Sequence, residues 1–406
     1  MNEIYHLIFN NKYKNVEAQI NFALPVNLET ISVLNILGRM LCDRCLCFPS
    51  KREMQAQCDK LFGADLRYGV RIYGNYTVLM IRLECLAQAY VPTDIWTQQL
   101  AFLHEIIYQP LLNEESFKEA KKLQLEAIKR KNDQPIEYAI NQLLSNGAKG
   151  NSLAYSKDGD YQLVSKLCLK QIQKVYQSLF TGSIDMFLEG DFASTKARDL
   201  LKQYFPFEKK ELGSVPFLLS RHEFNEIKHQ REIPQTILTE LYRTDTLITS
   251  EQYPAFVILN ALLGGFPVSL LFEEIREKNS LCYSINSLIA PYQGGLVILT
   301  AISLDKLSKV EELIQVQLER IIAGDFSEEL LATIKTMYQN SLLTYDDTSE
   351  GLLARAYENV LCDSSSKLKD VLNLIAKVTK DEVVEQAKKL QLQSRFVLEG
   401  VSNGEN

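Results

Sequence analysis

Ser32-Val33-Leu34-Asn35-Ile36-Leu37-Gly38 returns later in the chain as Val257-Ile258-Leu259-Asn260-Ala261-Leu262-Leu263-Gly264. Two further matches keep the same order. Asn113-Glu114-Glu115-Ser116-Phe117 corresponds to Ser327-Glu328-Glu329-Leu330-Leu331, each a capping residue followed by acids suited to the positive end of a helix. Phe187-Leu188-Glu189-Gly190 answers Val397-Leu398-Glu399-Gly400. The offset between copies shrinks steadily along the chain, as it does when the first copy holds the longer connections. An ordered internal repeat fixes domain number better than composition does. The expected division is residues 1–212 and 213–406.

Working outward from the repeat, each half alternates between the strand and helix periods. In the first, Ala18 to Leu24 alternates as a half-buried strand and Thr30 to Cys42 reads as a helix. Arg67 to Gly74 and Asn75 to Cys85 form two strands about a Gly74-Asn75 turn. Helices follow at Trp96 to Tyr108 and Glu114 to Lys131. The second half repeats the pattern: a strand at Ile237 to Leu241, helices at Ala255 to Leu263 and Val268 to Lys278, and strands at Leu281 to Ile285 and Gly295 to Ala301. Helices then run from Val310 to Ala323 and from Ser327 onward. Hairpins mixed with helices predict an α+β fold twice over, each half a mixed, largely antiparallel sheet packed with helices. The join falls in Phe207 to Lys228, a charged stretch with no clear period.

Composition agrees with this plan. With 406 residues, 46% hydrophobic and 23% charged, the chain is neither disordered nor fibrous and is too long for one core. A net charge of -7 excludes the electrostatic footprint of a nucleic-acid binder. The opening Met1-Asn2-Glu3-Ile4-Tyr5-His6 has neither the basic nor the apolar region of a secretory signal, and eight scattered cysteines suit free thiols, so a cytoplasmic location is expected. Tyr253 to Phe272 carries no charge, but Pro254, Asn260, Gly264-Gly265 and Pro267 make it two buried helical pieces rather than a membrane span.

Four histidines, His6, His104, His222 and His229, include no pair three to five residues apart, and His222 and His229 fall in the expected linker as surface residues. Cys42, Cys45, Cys47 and Cys58 have spacing that could hold zinc, although no second cluster accompanies them and Cys42 and Cys45 sit where small apolar residues also fit. Glu119 and Glu126 share one face of a helix, as paired carboxylates or as a solvated, lysine-neutralised surface. In Pro267 to Ile285, Val268, Leu271, Phe272 and Ile275 form a buried stripe with Arg276 beside it. Asn279-Ser280 ends the helix, and Tyr283 falls on the next strand. The two can converge to donate hydrogen bonds to a peptide carbonyl or a developing oxyanion, or Arg276 can pair with Glu273 or Glu277 while Tyr283 packs in a sheet.

These strings, together with Phe48-Pro49-Ser50-Lys51-Arg52-Glu53-Met54 and Leu61-Phe62-Gly63-Ala64, make the chain resemble the pitrilysin/insulinase family of zinc peptidases over nearly its whole length. The nearest resemblance is to the family's non-catalytic bacterial partner subunits. It implies two homologous halves arranged as a clam shell. The family's H-x-x-E-H signature would fall on Leu41-Cys42-Asp43-Arg44-Cys45, so Leu41, Arg44 and Cys45 hold the wrong chemistry for ligands and general base. Glu119 and Glu126 match the family's later glutamate helix, with Glu126 left at the third-ligand position. Arg276 and Tyr283 match the family's substrate-binding pair.

The resemblance therefore implies a chain with no cofactor of its own, inactive alone, that supplies Arg276 and Tyr283 in trans to a homologous partner bearing zinc, the pair forming a zinc metalloendopeptidase that cleaves peptides. Strands Gln19 to Leu24 and Thr77 to Cys85 are expected to hold extended peptide by edge addition. The alternatives are a non-enzymatic scaffold or peptide-binding member of the same fold, and a stand-alone metalloenzyme using Cys42, Cys45, Cys47 and Glu126, which lacks a general base.

Overall fold

The computed structural model describes residues 3–91, 94–192 and 194–401. In chain order its first elements are β1 (Tyr5–Phe9), β2 (Asn15–Pro25), α1 (Leu28–Asp43), α2 (Lys51–Lys60), β3 (Asp65–Tyr73), β4 (Tyr76–Leu86), α3 (Trp96–Tyr108), α4 (Glu114–Asp133) and α5 (Pro135–Gly147). There follow α6 (Tyr161–Lys166), α7 (Leu169–Leu179), β5 (Ser183–Gly190), α8 (Ser194–Tyr204), β6 (Asn225–Arg231), β7 (Thr236–Arg243) and α9 (Tyr253–Asn260). The last are β8 (Cys282–Ala290), β9 (Gly295–Ile302), α10 (Leu307–Ile322), α11 (Glu328–Asp346), α12 (Ser349–Leu361), α13 (Leu368–Lys377), α14 (Lys380–Lys389) and β10 (Gln391–Gly400). Between α9 and β8 lie two π-helical segments, Ala261–Gly265 and Phe272–Lys278.

The strands form two five-stranded sheets of identical plan, β1-β5-β2-β4-β3 and β6-β10-β7-β9-β8. In each, only the first pair is parallel, β1 with β5 and β6 with β10. The expected α+β duplication is therefore present down to strand order, and Phe187 to Gly190 and Val397 to Gly400 lie on equivalent strands. The repeated glycines have a physical reason. A Cβ on Gly38 of α1 would stand 2.3 Å from the Tyr68 ring on β3, and one on Gly264 would stand 2.9 Å from the Ser287 hydroxyl on β8. In both sheets a helix comes against the last strand closely enough to exclude any side chain at that point.

By compactness the chain forms two units that interleave in sequence: residues 1–130, 156–215 and 346–364, and residues 131–155, 216–345 and 365–406. Each unit thus takes one helix from the other half of the repeat. In the second unit, α5 packs on β7 and β10, with Ala139 and Leu143 against Ile237, Leu241, Phe396 and Leu398. In the first, α12 packs on β5, and Tyr357 is enclosed with Phe187 and Tyr73 at ring distances of 5.8 Å and 5.6 Å.

Two expectations need correction. β2 and β4 are interior strands, so neither Gln19 to Leu24 nor Thr77 to Cys85 offers a free edge. Part of the expected linker is strand β6, and His229 is on it rather than in solvent: its ring meets Phe396 at 5.1 Å and its Nδ1 lies 2.8 Å from the Tyr138 hydroxyl. No helix among the described residues is long and apolar enough to cross a membrane, and the uncharged run from Tyr253 is broken into α9 and a π segment within the second core.

Candidate functional site

In the first unit, α1 ends at Asp43 and Arg44 turns into extended backbone, from which Cys45 bridges to Pro110. Leu41 and Cys45 are buried in apolar surroundings. Arg44 is also buried, and its charge is answered locally: Nε donates to Asp43 at 2.8 Å and Nη2 to Glu119 at 2.6 Å, with Glu115 3.6 Å from Nη1. Lys51, the first residue of α2, adds its ammonium to Glu119 at 3.1 Å and to Asp43 at 3.4 Å. The Lys51 hydrogen bond, the largest effect, holds the Glu119 carboxyl below its usual range against burial, with the Arg44 charge helping. Glu126 lies exposed on the same helix, with no ion pair among the described residues.

This arrangement does not fit a metal. A guanidinium and an ammonium already neutralise the Glu119 carboxylate, and Leu41 and Cys45 beside them are buried side chains in apolar surroundings. Nor are the thiols prepared as ligands: burial pushes Cys42 far up and raises Cys45 and Cys58, while a hydrogen bond to Glu105 raises Cys47. The described residues contain no group of three or more His, Cys, Asp or Glu able to hold a metal ion, and all eight cysteines are free.

In the second unit the structure brings Arg276 and Tyr283 side by side. Ser269 and Leu270 start the helix after Pro267, and the chain then widens to π geometry over Phe272–Lys278 with Ile275 buried. Ser280 closes it at φ +51°, Ser280 N–H donating to the Arg276 carbonyl at 3.0 Å and Leu281 N–H to the Ile275 carbonyl at 3.0 Å. That left-handed closure, usually a glycine's task, turns the chain directly into β8. The strand begins with a bulge: register slips between Cys282 and Ile285, freeing Tyr283 and Ser284 from regular pairing.

The Arg276 guanidinium lies between two rings, 4.4 Å from the centre of Phe272 and 5.3 Å from that of Tyr283. Attraction between the cation and the two ring faces holds the guanidinium at this place. Only Nε has an acidic neighbour, Glu277 at 3.4 Å, because Glu273 and Glu274 are taken by Lys278 at 3.0 Å and 3.3 Å. Among the described residues the Arg276 terminal nitrogens and the Tyr283 hydroxyl have no hydrogen-bond partner, and Tyr283 is 80% exposed. Sequence reading placed Phe272 in the buried stripe and overlooked its stacking. The four-residue spacing from Phe272 to Arg276 was the available signal.

The structure thus joins a duplicated α+β plan to an ion-paired Arg44 in one unit and an arginine-tyrosine pair in the other. Comparison with known proteins finds that the chain matches, over residues 166–338, the family model described as the Peptidase M16 inactive domain. It is 25% identical over 405 residues to a Bacillus subtilis protein called "Probable inactive metalloprotease YmfF", covering 97% of this chain and 95% of that one. A second Bacillus subtilis relative, "Uncharacterized zinc protease YmxG", is 23% identical over 298 residues, 72% of each chain, so the family includes proteins named for zinc. Among solved structures, a conserved protein from Enterococcus faecalis V583 superposes with a TM-score of 0.92 at 26% identity, covering 99% of this chain and 97% of that one.

Proposed function

We propose that this chain is the non-catalytic half of a heterodimeric zinc metallopeptidase. It binds peptide through Arg276 and Tyr283 and presents them in trans to a homologous subunit that carries zinc on an intact H-x-x-E-H motif. The observation that carries this reading is the asymmetry between the two sites. Arg44 is locked into ion pairs with Asp43 and Glu119, whereas Arg276 lies over two rings and its terminal nitrogens have no hydrogen-bond partner among the described residues. A guanidinium and a phenol at one point can both donate to a substrate carbonyl and strengthen those bonds as charge develops on its oxygen. Neither can activate water, so hydrolysis belongs to the partner. The eight free cysteines suit a reducing compartment such as the cytoplasm.

The test is a pull-down from the source organism with this chain as bait, followed by assay of a quenched peptide. Chelator-sensitive cleavage by the eluate but not by the chain alone is expected, with a similar-sized H-x-x-E-H protein present. Arg276→Ala or Tyr283→Phe is expected to lower that cleavage by about a hundredfold while the pair stays assembled. An inert eluate without such a protein, or full activity in both variants, would favour a non-enzymatic scaffold of the same fold.

A further inference from the structure

Two neighbours compete for the Arg276 guanidinium. One is the half-buried Phe272 ring, four residues earlier on the same π-helical segment, with its centre 4.4 Å away. The other is the Glu277 carboxylate, next in the chain, 3.4 Å from Nε. Of the segment's three acids, Glu277 alone is left to compete, since Lys278 pairs with Glu273 at 3.0 Å and with Glu274 at 3.3 Å. The Tyr283 ring adds to the first side at 5.3 Å, but it stands in a bulge and is far more exposed than Phe272.

The two neighbours have opposite effects on what the arginine can bind. A carboxylate engages a guanidinium through its N–H groups, two at once in the preferred fork, so a closed Arg276–Glu277 pair would use up donors that a ligand needs. A ring face attracts the charge of the cation and takes no N–H. In this structure the ring prevails: the Glu277 contact reaches Nε alone, and the terminal nitrogens have no hydrogen-bond partner among the described residues. The margin is narrow. The Arg276 and Glu277 side chains are 35% and 58% exposed, and at such exposure a cation over a ring and an ion pair are of similar strength.

We infer that Phe272 is a positioning residue for Arg276: its ring holds the guanidinium off Glu277 and so keeps the terminal nitrogens available to a bound carbonyl. Phe272 acts through the arginine and needs no contact with the ligand. The use of the freed nitrogens rests on the reading that Arg276 binds peptide, whereas the competition among the three side chains is a property of this chain alone.

The test uses phenylglyoxal, which condenses with the terminal nitrogens of an arginine that no carboxylate engages, and follows its addition to Arg276 of the full chain by mass spectrometry. Phe272→Leu keeps apolar bulk and removes the ring face, and is expected to slow labelling of Arg276 by about fivefold. Phe272→Trp is expected to keep the wild-type rate, and Glu277→Gln added to Phe272→Leu to restore it. With Phe272 intact, Glu277→Gln alone is expected to change the rate by less than about twofold, because the ring already prevails; this exposed variant serves as the test if Phe272→Leu does not fold. Undiminished labelling in Phe272→Leu, no recovery in the double variant, or a rise of about fivefold in Glu277→Gln alone overturns the inference. Cleavage of the quenched peptide by the assembled subunits then separates the positioning from its use. It is expected to fall about fivefold in Phe272→Leu and to return in the double variant. Wild-type cleavage by Arg276→Ala, with the labelling as expected, overturns the peptide reading and leaves the positioning in place.

Discussion

Arg44 and Glu119 show how one cation sets the chemistry of a site. Its guanidinium makes the Glu119 carboxylate half of an ion pair, shared with Lys51. Because the folded Glu119 carboxyl titrates below its unfolded value, the stability it contributes is present above the ordinary glutamate pKa and is lost as pH falls through the lower, folded value. Between neutral pH and roughly pH 3.5, urea midpoints of the wild type should therefore fall further than those of Glu119→Gln. Equal slopes would mean that the pair is solvated and contributes nothing. The apolar, cationic and thiol side chains of Leu41, Arg44 and Cys45 were legible in the sequence. Lys51 was not, because its pairing joins α2 to α4 and leaves no trace in spacing.

At the scale of elements, periodicity found α1, α3, α4, β3, β4 and β9 to within a few residues, and the Gly74-Asn75 turn found the hairpin between β3 and β4. It failed where alternation has two meanings. β2 alternates Glu17, Gln19 and Asn21 with apolar residues as an exposed strand would, yet both of its faces are buried and it runs through the middle of its sheet. β6 alternates charges that guard an edge, and it read as linker. Strand order is set by pairing between distant segments, which local period does not encode. The close approach of α1 to β3 yields a direct test: Gly38→Ala would place a methyl carbon within the Tyr68 ring's van der Waals surface. A loss of about 1–3 kcal/mol is expected from denaturant unfolding, most of it recovered by Tyr68→Ala in the same chain. An undiminished midpoint would mean that β3 can withdraw from the helix.

For the whole molecule, the repeat announced two halves but not their exchange of helices, since α5 and α12 look in sequence like ordinary members of the halves that encode them. The exchange makes each half incomplete. A fragment of residues 1–212 would lack α12, leaving the Tyr357 seat beside Phe187 and Tyr73 open. It is expected to bind a hydrophobic dye and to unfold without a sharp transition, and a synthetic peptide spanning residues 346–364 should restore cooperativity. A fragment with a sharp transition of its own would show that α12 is dispensable to its sheet.

The same exchange sets a clock on synthesis. β1 to β5 leave the ribosome well before α12 does, and at about 5–20 residues per second the wait from residue 215 to residue 361 lasts roughly seven to thirty seconds. For that interval the first sheet stands with one face waiting for its helix. The nascent chain is thus a client for whatever shields apolar surface at the ribosome, and synonymous codons between β6 and α12 become a means of changing the yield of a protein whose amino acids are unchanged.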